Sequence, residues 1–211
     1  MLKNILDELS FIYSKNLSFF KTNLAAENKI MQKHLKFITE ELEKLKNEFK
    51  TIEIKSETKA VVSYLSLIDP TNTAADYKRI IKKLKELSGE LFWRFGYQKP
   101  AEEMIEKYAY TEIIGPEGPI YSEEIIVGFV LLAPDFYYPK HKHSQIEETY
   151  LFLTGKTIYN KKAIFPENTF ILNEAGRVHE LKSSDDNPTL ILYSWIKKGD
   201  GSLKDYQLNL E

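Results

Sequence analysis

The sequence contains no cysteine. That absence excludes a disulfide scaffold, cysteine-ligated zinc fingers and a thiol nucleophile. Long apolar runs are also missing, and no stretch reaches the length of a membrane-spanning helix. Neither sign of charge dominates. Lys and Arg number 29 against 31 Asp and Glu, a net charge of -2 at pH 7, which gives no support to a nucleic-acid or membrane-surface partner. The opening residues, Met1 to Glu8, place acids where a signal peptide keeps its apolar stretch, so a cytoplasmic protein is expected. Histidine is scarce: the four are His34, His141, His143 and His179.

Hydrophobic residues make up 43% of the 211 positions, enough for a sizeable core in one large domain or two small ones. The first part reads as helix. Leu2, Ile5, Leu6, Leu9, Ile12, Tyr13, Leu17, Phe20 and Leu24 recur at helical spacing. From about Asn28, the residues Met31, Leu35, Ile38, Leu42, Leu45, Phe49 and Ile52 step by four and three alternately, a heptad seam. Its partner is expected within the chain, and a homodimer through these helices is the alternative. A shorter helix is expected over Glu57 to Leu67, ending before Asp69-Pro70. Thr73 and Asp76 have the spacing of a helix cap, and Tyr77, Ile80, Ile81, Leu84, Leu87 and Leu91 outline one more helix.

After Lys107 the texture changes to short runs rich in Ile, Val, Tyr and Phe, separated by turn residues. About eight such strands suggest a small antiparallel sandwich or barrel. Gly115-Pro116-Glu117-Gly118-Pro119 lacks the Gly-Lys-Ser/Thr ending of a phosphate loop and reads as a tight hairpin. The expected class is therefore α+β, a helical region over 1–107 packed on an antiparallel β-barrel over 108–211.

The chemistry gathers at Tyr138-Pro-Lys-His141-Lys-His143-Ser-Gln-Ile-Glu147-Glu148-Thr-Tyr150. On a strand, residues two apart face the same side. His141 and His143 thus aim two imidazoles at one point. Glu148 and Tyr150 do the same from the next strand, which a turn at Ser144–Ile146 would lay alongside. His179 follows Gly176 on a later strand. Three imidazoles and a carboxylate suit Fe, Mn, Ni, Co or Zn and leave positions open for a substrate. His34, beside the heptad seam among Lys and Gln, is expected to be solvated.

These residues resemble the cupin superfamily. His141-x-His143, four residues, Glu148, six residues and Gly155 fit its first motif. Asn168, five residues, Glu174-Ala175-Gly176, two residues and His179 fit the spacing of the second, with Asn168 and Glu174 in place of the usual turn residues Gly and Pro. Tyr108 to Pro119, Tyr138-Pro139-x-His141-x-His143, Glu147-Glu148-x-Tyr150 and Trp195 before Gly199-Asp200 narrow the resemblance to the cupin-type dimethylsulfoniopropionate lyases. In that pattern the gap between the second His and the Glu is often one residue shorter, which makes Glu147 the alternative ligand. The resemblance implies a helical preamble, a cupin barrel, one divalent metal ion held by His141, His143, Glu148 and His179, and a small-molecule substrate. It implies β-elimination to dimethyl sulfide and acrylate. Tyr150 is then the candidate base, with Tyr138 next, and Tyr159, Tyr193 and Trp195 are candidates to face the sulfonium cation. An iron dioxygenase, a sugar isomerase or a non-catalytic carboxylate-binding cupin would carry the same ligands.

Overall fold

The computed structural model describes residues 1–22, 28–97, 99–203 and 209–210. Leu24, the last residue of the first helical pattern, lies outside them. Helices α1 (Leu2–Thr22) and α2 (Asn28–Asn47) pack against each other, and α3 (Lys78–Leu87) joins them. The heptad seam is spent inside the chain: Met31, Leu35, Ile38 and Leu42 are buried in one core with Ile5, Leu9 and Ile12 of α1. The helix stops at Asn47, so Phe49 and Ile52 leave it. None of the described helices is long and apolar enough to cross a membrane.

The short helix expected at Glu57 is 3₁₀ and spans Ala60–Leu67, while Glu57 bridges to Phe92. Val61, Val62 and the Ser residues of this segment favour a short tight turn over a long α-helix. Thr73 caps nothing downstream: its hydroxyl donates back to the carbonyl of Pro70, and the next segment starts at Ala75 without a side-chain cap. The α3 helix ends at Leu87, and Leu91 is buried beyond it. Last of the α-helices is α4, Glu102–Lys107.

Two sheets face each other. The larger has the order β2-β1-β3-β10-β5-β8, from β1 (Tyr108–Gly115), β2 (Ile120–Tyr121), β3 (Ile125–Leu132), β5 (Ile146–Thr154), β8 (Phe170–Asn173) and β10 (Thr189–Lys197). The smaller runs β11-β4-β9-β6-β7, from β4 (Tyr137–Lys142), β6 (Thr157–Tyr159), β7 (Ala163–Phe165), β9 (His179–Ser183) and β11 (Asn209–Leu210). The sheets are not hydrogen-bonded into a closed barrel among the described residues; they form the two walls of a sandwich. The Gly115–Pro119 segment is not a hairpin, because β1 and β2 pair parallel, Ile114 with Ile120. Two prolines remove the N–H donors that an antiparallel turn needs there.

Every residue of β3 and β5 is buried, since helices cover one face and the second sheet the other. Along β5 the odd positions, such as Leu151 and Leu153, join the helical core, and the even positions, such as Tyr150 and Phe152, join the core between the sheets. This alternation places the site. Gly128 on β3 lies opposite Tyr193 of β10. A Cβ there would sit 2.0 Å from the Thr111 carbonyl oxygen and 2.9 Å from the Tyr193 ring, so only glycine lets the tyrosine lie across it.

Candidate metal centre

His141 lies one residue before the end of β4, His143 stands at the corner after it, and His179 opens β9 directly opposite His141. Glu148 comes from the other sheet. The strands bearing His141 and Glu148 are therefore not hydrogen-bonded neighbours, as the sequence led us to expect. The Ser144–Gln145 turn carries the chain between sheets, and the two pairs meet across the interior. One ligand atom from each of His141, His143, Glu148 and His179 lies within 4.8 Å of the others, and all four residues are buried. The cluster could hold a metal ion.

Local hydrogen bonds set two of the imidazoles. Nδ1 of His141 lies 2.9 Å from the Pro139 carbonyl, and Nδ1 of His179 lies 3.1 Å from that of Arg177. A carbonyl only accepts, so each Nδ1 carries the proton and each Nε2 is left with a lone pair toward the interior, the arrangement usual for metal-ligating histidine. Nε2 of His141 and both ring nitrogens of His143 are buried without a hydrogen-bond partner. Nε2 of His179 stands 3.1 Å from Oε2 of Glu148; two lone pairs at that distance repel unless a proton or a cation lies between them. Burial pushes His141 down to about 3 and His143 down to about 4, keeping both neutral and ready to ligate. Burial pushes the Glu148 carboxyl up, and positive charge at His143, His179 and His141 would bring it down to about 2; with the imidazoles neutral, a cation among them is what would supply that charge.

Glu148 is held from both sides by its cross-strand neighbours, Trp195 on β10 and Asn173 on β8. The Trp195 indole N–H donates to Oε1 at 2.6 Å and the Asn173 amide to Oε2 at 3.0 Å. The Tyr159 hydroxyl donates in turn to the Asn173 carbonyl oxygen at 2.5 Å. Asn173 escaped the sequence reading. Its one signal was a polar residue ending the apolar run Phe170–Leu172.

Tyr150 shares the inner face with Glu148, its hydroxyl 3.4 Å from Nε2 of His179. Burial and the Glu148 carboxylate push this phenol well above the ordinary tyrosine value. The Tyr138 hydroxyl lies 3.2 Å from that of Tyr108, and its ring lies against His141. A narrow cavity of about 10 Å³, room for about one water, opens beside His143 and Glu148, walled by Tyr108, Tyr110, Tyr138, Tyr150, Tyr193 and Trp195. The Tyr193 hydroxyl is buried there without a partner. Tyr159 instead lines a separate cleft with Arg177, between the helices and β8.

Glu147 points the other way. It faces α2, where Oε1 lies 3.0 Å from Nδ1 of His34 and 3.2 Å from Nζ of Lys198. His34 is fully buried, not solvated. Its neighbours in sequence are polar, but the helix turns this one position onto the sheet. Asn168, in the second motif, adopts a φ of 67°. Asparagine tolerates this left-handed region, so the turn survives the loss of glycine.

The two facing sheets have the arrangement of a cupin, and the buried His₃Glu cluster between them could hold a metal ion. A profile of the dimethylsulfoniopropionate lyase family matches residues 33–191, and the chain belongs to that family. A Cereibacter sphaeroides protein with the provisional name dimethylsulfoniopropionate lyase DddL is 37% identical over 139 residues. The match takes in 66% of this chain and 60% of that protein's length. Among solved structures, that of the DMSP lyases RdDddP and RnDddQII superposes with a TM-score of 0.67 at 18% identity, covering 77% of this chain and 83% of the other. The DMSP lyase DddQ from Ruegeria pomeroyi superposes with a TM-score of 0.65 at 21% identity, covering 77% and 81%. These likenesses establish a shared fold.

Proposed function

We propose that the chain is a metal-dependent carbon–sulfur lyase that cleaves dimethylsulfoniopropionate to dimethyl sulfide and acrylate by base-initiated β-elimination. The observation that carries this reading is the buried His₃Glu cluster flanked by the Tyr150 phenol and an aromatic-walled cavity, in a chain of the dimethylsulfoniopropionate lyase family. His141, His143, His179 and Glu148 would hold one divalent transition ion, Fe, Zn, Mn, Ni or Co. The buried, unpartnered ring nitrogens of His141 and His143 fit that role. Such an ion supplies a Lewis acid that favours bound carboxylate and the phenolate form of a neighbouring tyrosine.

The remaining work falls to the chain's own side chains. Tyr150, as phenolate, takes the α-proton of the substrate. The electron pair left on Cα closes the Cα–Cβ double bond. The Cβ–S bond breaks, and its pair leaves on sulfur as neutral dimethyl sulfide, with acrylate keeping the carboxylate. Tyr193 and Trp195 offer aromatic faces to the sulfonium cation. Tyr138, on the wall of the same cavity, is the second phenol, and Tyr159 acts on the carboxylate ligand through Asn173. Residues 108–211 carry the chemistry, and 1–107 form the supporting helical layer. The test is headspace detection of dimethyl sulfide, with acrylate assayed in solution, from metal-loaded protein given this substrate. Equal yields of both products, lost in His143→Ala, are expected. A metal-loaded protein that releases neither product overturns the reading.

A further inference from the structure

The face of β5 opposite the cluster carries a buried polar network that the elimination does not use. His34 of α2 is fully buried. Its Nδ1 lies 3.0 Å from Oε1 of Glu147, and its Nε2 lies 2.9 Å from Oγ of Ser194. A carboxylate only accepts, so Nδ1 carries the proton and Nε2 accepts from the Ser194 hydroxyl. That uses the one proton of Ser194, and the Thr149 hydroxyl therefore donates to Ser194. The network ties α2 to β5 and β10 at once.

Each strand residue in this network sits next to one in the metal centre. Glu147 precedes Glu148. Ser194 precedes Trp195, whose indole N–H donates to Glu148. Ile196 pairs with Glu147, Trp195 with Glu148 and Ser194 with Thr149 in one unbroken register. Stability alone does not explain a polar patch here. Apart from Glu41, which pairs with Lys44 at the helix's exposed side, the rest of the buried face of α2 is Met31, Leu35, Ile38 and Leu42, and apolar residues at the network positions would pack at least as stably as a buried charged group and its partners.

We infer that His34 is a positioning residue for the carboxylate of the metal centre: from α2 it pins the outer face of the β5–β10 pair and so fixes the Glu148–Trp195 pair on the inner face. This rests on the metal-site reading above. The test uses the full chain loaded with Co(II), reading its visible absorption bands and its dissociation constant. His34→Leu is expected to weaken Co(II) binding about 10- to 100-fold, the usual effect of losing a group behind a ligand, and to shift the bands. His34→Asn keeps an N–H near the Nδ1 position and should recover most of the loss. Leu35→Ala, a cavity in the same helix, should lower stability and leave both readouts parental. Combining His34→Leu with Trp195→Phe should cost less than the sum of the two losses, since both act through Glu148. If His34→Leu does not fold, Ser194→Ala carries the same comparison. Parental affinity and bands in these variants, or strict additivity with Trp195→Phe, would overturn the role. A parent whose Co(II) bands survive His179→Ala would instead overturn the metal site, and the positioning role with it.

Discussion

In the proposed elimination, Tyr150 carries the reaction on one oxygen. In the bare chain its proton is held tightly, because burial and the Glu148 carboxylate both oppose ionisation; only a cation among the neighbouring imidazoles reverses that. Tyr150→Phe should therefore keep the fold and the metal while turnover drops by about two to four orders of magnitude. Steady-state rates on metal-quantified protein check this, and a near-parental rate would pass the role to Tyr138. The cluster of His141, His143, Glu148 and His179 was legible in the sequence because a strand's alternation and the motif spacing both act over a few residues. Asn173 and His34 were not. Asn173 meets Glu148 only through the register of β8 on β5. His34 is buried only because α2 lies on that sheet, and its flanking Lys and Gln said the opposite.

Elements whose pattern was strong were legible too: α1, the seam of α2, and most of the strands up to Lys197. What the sequence hid was which strands pair. A turn after His143 looked like a hairpin, yet it carries the chain from one sheet to the other, and two prolines made a parallel contact of β1 and β2 out of another expected hairpin. Such outcomes are decided by distant strands competing for edges. Gly128 belongs to this scale, since its lack of a side chain lets β1, β3 and β10 close up. Gly128→Ala should destabilise the protein by about 1–3 kcal/mol, the range for forcing a methyl into a packed core. Urea denaturation reads this directly; an unchanged midpoint would mean that β1 yields easily.

In the whole molecule, buried imidazoles make the metal-free fold acid-sensitive. Burial pushes His34 below its usual value, His141 down to about 3 and His143 down to about 4, whereas in the unfolded chain they protonate near pH 6.5. The unfolded state thus binds more protons below pH 6.5, and stability falls as the pH drops, by about 1 kcal/mol per histidine per pH unit. Glu112, pushed up to about 7 by burial against the pull of Arg94, works in the opposite sense and cancels one such contribution. Urea midpoints of metal-free protein at pH 7.5 and 5.5 should show a clear net loss; a flat profile would mean that the imidazoles are charged in the fold. The two walls also differ in how much change they tolerate. On the helical side, where β3 and β5 are buried throughout, an inserted residue displaces a core. On the far side, β6 and β7 leave Ile158 and Ile164 exposed, and Asn160 and Lys161 already turn through positive φ. Fusions, grafted loops and labels have a natural place at that edge, where lengthening the connection leaves the helical core untouched.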